Sequence, residues 1–389
     1  MSTRLTTVQV GSGWFPEIAG GLNRYYFDLV HALPAVGVDC RGLVVGSAEV
    51  DRQSGGAVHA YAPAKASLLE RWRAGRRATR DALTSPTLPK PAVLVTHFAL
   101  YAWPLPRPPR EIPTVVHFHG PYAAESAREG GGRLATAFKR YLERSVYRRA
   151  DRLIVLSEAF RNVLCDGYGI APERVAVIPG GVDVLRFTRA YELSREEARQ
   201  RLGWPTDRPI VLAVRRLAGR MGLEHLVDAM NDVRRRVPDA LCLIAGRGRL
   251  ADALADRIRA AGLEQHVRLL GFVPDADLPL AYRAADVSVL PTESLEGFGL
   301  SAAESLATGT PVLVAPVGGL PEVVRDLAPG LILAKSADAA VLGDALAAAF
   351  QSPGRLPSAE QCHTYAAARF AWPTIAERVA EVYAQAFQQ

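Results

Sequence analysis

Short apolar runs alternate along the chain with longer amphipathic segments. In the first half, six runs have the length and the apolar composition of buried strands. They are residues 5–10, 42–45, 92–96, 113–118, 153–156 and 175–178. A second series follows at residues 209–214, 240–245, 267–270, 287–290 and 312–315. Strand–helix alternation that occurs twice predicts an α/β fold of two doubly wound, Rossmann-like domains with mostly parallel sheets.

The polar stretch 186–207 interrupts this rhythm and is the best candidate for a linker. We therefore place the domains at 1–190 and 191–372, followed by a helix over 373–389. Ile375, Val379 and Val382 share one face of that helix at a helical period.

Composition narrows the class of protein. The chain has 389 residues, too many for one comfortable core, and 49% of them are apolar. No apolar run approaches the ~20 residues that span a bilayer, and the N-terminus lacks a signal-peptide pattern. The cysteines are scattered without metal-type spacing, as Cys40, Cys165, Cys242 and Cys362. These features predict a cytoplasmic protein with free thiols.

The net charge of +6 is carried almost entirely by arginine, because only four residues are lysine. Arginine binds planar phosphate and carboxylate groups with two parallel hydrogen bonds. A genome that favours arginine throughout is the simpler explanation of the bias. The abundance of arginine is therefore not evidence of nucleic-acid binding, and we expect no nucleic-acid partner.

The strongest chemical signal is a pair of carboxylates, Glu296 in a glycine-rich turn and Glu304 inside a helical run. Eight positions are a little over two helical turns, so both side chains are able to face one cleft. The turn follows the predicted strand 287–290, and open α/β sheets bind ligands at the carboxyl ends of their strands. Ionised carboxylates only accept hydrogen bonds, which suits a ligand rich in hydroxyl groups.

Glycines and arginines follow the other strands. Gly20 and Gly21 stand where a helix begins, so backbone N–H groups are able to face an anion there, although a plain strand-to-helix turn explains them equally well. Arg215, Arg216 and Arg220 follow the strand 209–214, as a phosphate site or a solvated loop. At the end of strand 240–245, a base or phosphate could approach the backbone of Gly246.

Taken in order, these segments resemble the retaining glycosyltransferase family 4, which has the GT-B fold of two Rossmann-like domains facing each other across a cleft. The resemblance covers nearly the whole chain. Its segments are Pro16-Glu-Ile-Ala-Gly-Gly-Leu-Asn-Arg, Val116-His-Phe-His-Gly-Pro, Val177-Ile-Pro-Gly-Gly-Val-Asp, Arg216-Leu, Ala245-Gly-Arg-Gly and the Glu296–Glu304 block. Gly180 stands where the family usually has asparagine.

The resemblance implies roles for the matching residues. Glu304 would bind the ribose hydroxyls of the nucleotide, and Arg216 would neutralise the diphosphate. Glu296 would hold the transferred sugar, together with a donor-binding set formed by Gly297, Phe298, Gly299 and Leu300.

In the first, acceptor-side domain, the resemblance implies that His119 contacts the donor sugar and that Gly20 and Gly21 face the diphosphate and the acceptor. The alternative for His119 is a buried, satisfied histidine, and His117 is expected to be structural because it lies on the other face of the pleat. The resemblance also implies that the last helix packs back on this domain.

One position departs from the family pattern. Members usually have lysine five residues after the motif arginine as a second cation, and here that position is Met221. Either Arg220 or Arg215 takes over this role, or stabilisation of the leaving group is weaker.

The activity implied is hexosyl transfer (EC 2.4) from a nucleoside-diphosphate sugar, with retention at the anomeric carbon, in polysaccharide or glycoconjugate biosynthesis. The leaving phosphate would help to deprotonate the acceptor, so no cofactor and no metal is expected. The acceptor is left open as a glycan, a lipid-linked molecule or a small molecule. Two alternatives remain, a nucleotide-sugar epimerase of similar architecture and a weakened, nucleotide-sugar-binding protein.

Two segments of the first domain, 65–80 and 133–149, are basic and also contain large apolar residues. These are Leu68, Leu69 and Trp72 in the first segment, and Leu134, Phe138, Tyr141 and Leu142 in the second. Basic amphipathic helices of this kind bind anionic lipid, which would bring the protein to the inner face of a membrane. The alternative is an ordinary half-buried helix with a solvated basic face.

Overall fold

The computed structural model describes residues 4–128 and 130–388 and divides the chain into two compact units. Unit 1 comprises Met1–Gly181 and Trp372–Gln389, and unit 2 comprises Val182–Ala371. Each unit is built on one parallel sheet whose strands alternate with helices along the chain. The predicted α/β class is therefore confirmed for both units.

The sheet of unit 1 has seven strands within the described residues, in the order β3-β2-β1-β4-β5-β6-β7. Its strands are β1 (Leu5–Val10), β2 (Val38–Val45), β3 (Val58–Ala62), β4 (Ala92–Thr96), β5 (Thr114–Phe118), β6 (Arg152–Val155) and β7 (Val175–Val177). Val8 of β1 pairs with Arg41 on one side and with Leu94 on the other. Central strands of this kind are covered on both faces, so that even the polar residues Thr6, Thr7 and Gln9 of β1 are buried.

The helices of unit 1 that precede unit 2 are α1 (Gly21–Ala32), α2 (Glu49–Gln53), α3 (Leu68–Thr84), α4 (Ala99–Ala102), α5 (Tyr122–Arg128), α6 (Arg133–Arg149) and α7 (Glu158–Tyr168). Helix α3 begins with a capping box, in which Ser67 and Glu70 satisfy each other's backbone N–H groups. Glu143 of α6 is buried and accepts a hydrogen bond from the Tyr168 hydroxyl at 2.7 Å, which ties α6 to α7.

The sheet of unit 2 has the order β10-β9-β8-β11-β12. Its strands are β8 (Ile210–Val214), β9 (Leu241–Ala245), β10 (Val267–Gly271), β11 (Val287–Leu290) and β12 (Val312–Val314). Its helices are α8 (Val184–Tyr191), α9 (Arg195–Leu202), α10 (Leu223–Arg236), α11 (Ala251–Ala260), α12 (Leu278–Ala284), α13 (Leu300–Ala307), α14 (Leu320–Val324), α15 (Ala339–Gln351) and α16 (Ala359–Phe370). Short 3₁₀ turns lie at Leu33–Val36, Pro172–Arg174, Gly219–Met221, Pro329–Leu331 and Pro353–Arg355.

The last helix, α17 (Trp372–Gln385), belongs to unit 1 and not to the unit that precedes it in sequence. Its buried residues include Ile375, Val379 and Val382, the apolar face that the helical period predicts. The Tyr383 hydroxyl lies 2.8 Å from Nε2 of His117 in β5, and both residues are buried. A polar contact therefore fixes α17 within the core of unit 1.

The chain leaves unit 1 earlier than the sequence predicts, and the predicted linker 186–207 is wrong. Helix α8 packs against α12, α13 and α16, so residues 182–190 belong to unit 2. Arg199, in the middle of the polar stretch, is 5% exposed and donates to the carbonyl oxygens of Ala284, Thr206 and Arg208. It also forms an ion pair with Asp286 at 2.7 Å. Arg199 thus binds buried backbone instead of facing solvent and ties this stretch to unit 2.

In the part of the chain that the structure describes, no helix combines the length and the apolar character needed to cross a lipid bilayer.

We expect Tyr383→Phe to destabilise unit 1, because Nε2 of His117 loses its hydroxyl partner in a buried site. An unpaired buried polar group costs about 1–3 kcal/mol, which lowers the melting temperature of a domain of this size by roughly 2–12 °C. Differential scanning calorimetry measures this shift. The control is Tyr365→Phe in unit 2, which removes a buried hydroxyl that makes no hydrogen bond within the described residues. Equal melting temperatures for wild type and Tyr383→Phe would contradict the prediction.

Candidate functional site

The candidate site in unit 2 lies at the carboxyl edge of its sheet. Because the strands are parallel, the loops that follow β8, β9, β11 and β12 all leave the sheet at this edge. Arg215 directly follows β8, and Thr292 and Glu296 lie in the loop that follows β11. Such an edge is the usual position for ligands in open α/β sheets.

The loop that carries Glu296 is held in a strained conformation. Leu295 has φ 58°, the one non-glycine residue with positive φ among residues 4–128 and 130–388. The Arg220 guanidinium donates to the carbonyl oxygens of Ser294 at 3.3 Å and of Leu295 at 3.0 Å. On its other side, the Glu296 carbonyl oxygen accepts a hydrogen bond from the Gly319 amide at 3.0 Å. Arg220 therefore binds the backbone of the loop.

The Glu296 carboxylate forms a nearly buried ion pair with Arg215. The two side chains are 16% and 7% exposed. The Arg215 guanidinium also donates to the Thr292 hydroxyl oxygen at 2.6 Å, and that hydroxyl lies 3.3 Å from Oε2 of Glu296. The ion pair uses this same oxygen, Oε2. Removing one partner of such a pair leaves an uncompensated buried charge, so the pair fixes both side chains at the edge.

Met221 lies against the same guanidinium. Its Sδ atom is 3.1 Å from an Nη atom of Arg215, and the residue is 6% exposed. Of the two arginines that the sequence offers as replacements for the usual lysine, the structure brings Arg215 to Met221. Arg220 is directed at the loop carbonyl oxygens. Arg216, the motif arginine, has an exposed side chain at this edge.

Glu304 lies on α13 and is half-buried. It accepts a hydrogen bond from the Tyr282 hydroxyl at 3.0 Å. Burial raises the pKa of Tyr282 well above its usual value, and the charge of Glu304 raises it further, whereas Arg215 lowers it. Tyr282 therefore stays protonated and donates its hydrogen to the carboxylate. Helix α13 begins at Leu300, directly after the loop that carries Glu296, and the charge of Arg215 acts on Tyr282, the partner of Glu304.

The remaining donor-binding candidates are mostly backbone. Phe298 is 3% exposed, and its ring packs edge-to-face on Phe370 with centroids 5.4 Å apart, so the ring itself is buried. Gly299 precedes α13, and Leu300 is the first residue of that helix. Gly297 is half-buried beside Glu296. Backbone N–H groups at the start of a helix attract negative charge.

Gly246 has a structural reason to be glycine. A Cβ atom there would lie 1.8 Å from the carbonyl oxygen of Arg215, and its φ is 147°. Its amide donates to the Gly271 carbonyl oxygen at 2.7 Å, so this N–H is already engaged within the sheet edge. The glycine lets the loops after β8 and β9 cross closely.

In unit 1, the corresponding edge carries Gly20, Gly21, His97 and His119. Gly20 has φ 141°, a backbone conformation that residues with a side chain rarely adopt. A Cβ atom on Gly21 would meet nothing within 4 Å. The space beside the first turn of α1 is therefore open. His97 follows β4, and its Nδ1 lies 3.3 Å from Nε2 of His119, which follows β5.

The rings of His97, His117 and His119 are neutral. Burial lowers the pKa values of His97 and His117 well below their usual range, and desolvation lowers that of His119 to about 3 although the residue keeps some solvent access. Both ring nitrogens of His117 have partners, the Tyr25 hydroxyl at 3.2 Å and the Tyr383 hydroxyl at 2.8 Å. His117 is thus held in the core, while His119 reaches the edge.

Sequence reasoning missed two parts of these sites. It named Arg215 only as one of several arginines and did not foresee its pairing with Glu296, because ion pairs between distant strands leave no local pattern. It also missed His97. A signal existed, since His97 directly follows the strand 92–96 just as His119 follows the strand 113–118.

Two protein-family models match the chain. The family described as "Glycosyltransferase Family 4" matches residues 19–186, and "Glycosyl transferases group 1" matches residues 194–369. Each match falls almost wholly within one unit of the structure.

Curated relatives carry names of the same enzyme class. The chain is 32% identical over 271 residues to the D-inositol 3-phosphate glycosyltransferase of Corynebacterium kroppenstedtii, which covers 68% of this chain and 60% of the relative. It is 36% identical over 183 residues to the mannosylfructose-phosphate synthase of Agrobacterium fabrum, covering 45% of this chain and 40% of the relative. The chain thus spans about 60% or less of the length of these relatives.

Solved structures share the fold over nearly the whole chain. The sucrose-phosphate synthase from Thermosynechococcus elongatus has a TM-score of 0.78 at 23% identity, covering 99% of this chain and 100% of that one. Anabaena HepE in complex with UDP-glucose has a TM-score of 0.75 at 19% identity, covering 98% and 99%. At these identities the likeness shows the fold. With both units matched by family models and by solved structures, the chain belongs to glycosyltransferase family 4 and has the GT-B fold.

Proposed function

We propose that this protein transfers a sugar from a nucleoside-diphosphate donor to a hydroxyl group of an acceptor, with retention at the anomeric carbon. The observation that carries the proposal is the cluster of Arg215, Glu296 and Glu304 at the carboxyl edge of the unit 2 sheet. It combines carboxylates that accept hydrogen bonds from hydroxyls with cations for a diphosphate. The names of the relatives support this class of reaction, and HepE was solved with UDP-glucose.

In this proposal, Glu304 accepts hydrogen bonds from the ribose hydroxyls of the nucleotide. The Tyr282 hydroxyl already holds Oε2 of Glu304, which orients the carboxylate before the ligand arrives. The second oxygen has lone pairs to bind the ligand, because a carboxylate has about four acceptor positions. Orientation in advance reduces the entropy that binding costs.

Glu296 takes part in holding the transferred sugar, with Oε2 fixed by Arg215 and Thr292. The amides of residues 297–299 and the start of α13 stabilise the negative charge that develops on the leaving diphosphate. Arg216, exposed at the same edge, adds a cation. The chain's own groups then supply the electrostatic stabilisation, and the proposal needs no metal ion or cofactor.

Arg215 replaces the usual lysine as the second cation. Its guanidinium lies against Met221, at the position where the family has that lysine, and its ion pair with Glu296 holds it there. A charge that is fixed in advance costs no reorganisation during the reaction. The chemistry itself rests on orientation, because the leaving phosphate helps to deprotonate the acceptor in the front-face displacement that family membership suggests.

The acceptor class is proposed from the names of the relatives. D-inositol 3-phosphate glycosyltransferase and mannosylfructose-phosphate synthase both name phosphorylated polyols or sugars. Such acceptors therefore lead the panel to be tested, before glycans and lipid-linked molecules. An epimerase is not favoured, because these relatives are named for transfer or synthesis.

We expect release of a nucleoside diphosphate when the protein is incubated with nucleotide sugars and phosphorylated polyols, with UDP-glucose as the first donor. Glu304→Gln should raise the donor KM about tenfold, because the amide offers a weaker acceptor to the ribose. The control is Glu360→Gln on an exposed part of α16 in the same unit. Donor binding without turnover would instead identify a nucleotide-sugar-binding protein, and isomerisation of the donor an epimerase.

We expect Arg215→Ala to lower kcat/KM about 100-fold, the usual loss when one stabilising donor is removed. Adding Met221→Lys to this variant should restore at least a tenth of the activity, because the new ammonium group lies beside Glu296. Arg220→Ala is the comparison, and it should lower thermal stability through the freed loop carbonyls of Ser294 and Leu295. The assignment fails if Arg215→Ala turns over normally, or if Met221→Lys gives no recovery in a folded double variant.

We also propose that α6 places the protein on an anionic membrane surface. Leu134, Phe138 and Tyr141 lie one turn apart on this helix and are 89%, 53% and 64% exposed. The cations Arg133, Arg140 and Arg144 are exposed on the same helix. Its opposite face, with Leu142 and Val146, is buried in unit 1. An apolar stripe flanked by arginines suits an interface of acyl chains and anionic headgroups.

Flotation with vesicles tests this surface. One set of vesicles is phosphatidylcholine alone, and the other contains about 30% phosphatidylglycerol, whose negative surface potential attracts basic residues. We expect the protein to float only with the anionic lipid and to lose this binding in Leu134→Asp/Phe138→Asp. Leu185→Asp is the matched control, since Leu185 of unit 2 is 80% exposed but lies outside α6. Flotation that is equal for all three proteins, or absent for wild type, would overturn the proposal.

A further inference from the structure

His97 and His119 at the edge of the unit 1 sheet form a stack of neutral rings with His117, which lies within β5. His97 and His117 have ring centroids 4.4 Å apart with planes at 20°, and the planes of His97 and His119 meet at 21°. His97 and His117 are 1% and 2% exposed. A neutral imidazole carries its single proton on either Nδ1 or Nε2, and the hydrogen bond at one nitrogen decides the state of the other.

The hydrogen-bond chain that fixes these protons begins in the middle of β1. The Thr7 hydroxyl oxygen lies 3.2 Å from the carbonyl oxygen of Asp39, which accepts but cannot donate. Its other neighbour, the sulfur of Cys40 at 3.6 Å, is a weaker acceptor. With its single hydrogen given to one of these, the hydroxyl must accept from the Gln9 side chain at 3.2 Å. The Gln9 amide therefore points its NH₂ group at Thr7 and its oxygen, Oε1, the other way.

Oε1 of Gln9 lies 2.9 Å from Nε2 of His97. Because this oxygen only accepts, His97 carries its proton on Nε2, and its Nδ1 has a bare lone pair. That lone pair faces Nε2 of His119 at 3.3 Å. His119 must then donate from Nε2, and its own Nδ1 is left as an acceptor.

We infer that His97 is a positioning residue that fixes His119 in the Nε2-protonated tautomer, so that Nδ1 of His119 accepts a hydrogen bond from a sugar hydroxyl. The inference rests on the proposed sugar transfer for its ligand, but the tautomer itself follows from the contacts within unit 1. The relay of Thr7, Gln9 and His97 is buried, so water does not compete for these hydrogen bonds. The relay leaves Nδ1 of His119 as a hydrogen-bond acceptor of fixed direction at the sheet edge. Such an acceptor suits a ligand rich in hydroxyl groups.

A metal ion is the competing use of these rings, since ligand nitrogens of His97, His117 and His119 lie within 4.8 Å of one another. Imidazole lone pairs lie in the ring plane, and the planes here are within 21° of parallel, so three lone pairs in stacked rings do not converge well on one ion. A metal would also displace the hydrogen bond between His97 and His119 and one of the two tyrosine contacts of His117. The contacts therefore favour the tautomer relay.

Long-range ¹H–¹⁵N correlation spectra of ¹⁵N-histidine-labelled protein at neutral pH test the tautomers directly. We expect His97 and His119 to show the Nε2–H pattern in wild type, without ligand. His97→Phe removes the acceptor, so the His119 signal should shift towards a mixture of tautomers. His97→Asn places an oxygen near the position of Nδ1 and should keep His119 in the Nε2–H form. His117→Gln, in the same stack but not bonded to His119, should leave the His119 pattern unchanged.

Kinetics supply the second measurement. His97→Phe should lower kcat/KM for the sugar donor about tenfold, the value of one hydrogen bond, and His97→Asn should restore most of it. An Nδ1–H pattern for wild-type His119, or the same His119 tautomer in wild type and His97→Phe, overturns the inference. So does Zn²⁺ that shifts all three histidine signals at stoichiometric concentration, which would identify a metal site. If no nucleotide sugar is turned over, sugar transfer fails, while the wild-type spectrum still decides the tautomer.

Discussion

Every strand of both sheets runs parallel to its neighbours, and this constraint decides where the candidate sites of the protein lie. Parallel pairing collects the carboxyl ends of the strands at one edge, so residues that follow neighbouring strands become neighbours themselves. In unit 2, β8 pairs with β11, which brings Arg215 to Glu296 across a long stretch of sequence. In unit 1, β4 pairs with β5, which brings His97 to His119.

The two edges keep polar groups out of water in different ways. Unit 2 buries opposite charges as a pair, Arg215 with Glu296, so the local field is fixed while the net charge there stays small. Unit 1 uses imidazoles that desolvation keeps neutral, and their hydrogen bonds run from Gln9 to His119. The first arrangement suits a ligand with phosphate charge, and the second suits one with hydroxyl groups.

Much of the fold could be predicted because buried parallel strands leave continuous apolar runs. The strand that the sequence failed to show is β3, Val58–Ala62, where His59 and Tyr61 interrupt the apolar pattern. The prediction of a linker over 186–207 is wrong because a polar residue need not face solvent. Arg199 is polar yet buried, since its guanidinium binds carbonyl oxygens and Asp286. The polarity of a residue in the sequence does not show whether its side chain binds water or buried groups of the protein.

The alternation of strands and helices, the order of the glycine, histidine and glutamate motifs, and hence the family are evident in the sequence alone. These are local properties, set by periodicity and by residue type within a few turns of chain. Only the tertiary structure decided that Arg215 and not Arg220 meets Met221, and that His97 supports His119. Those partners lie on different strands, and the crossovers between parallel strands fix their distances without leaving any mark on the local pattern.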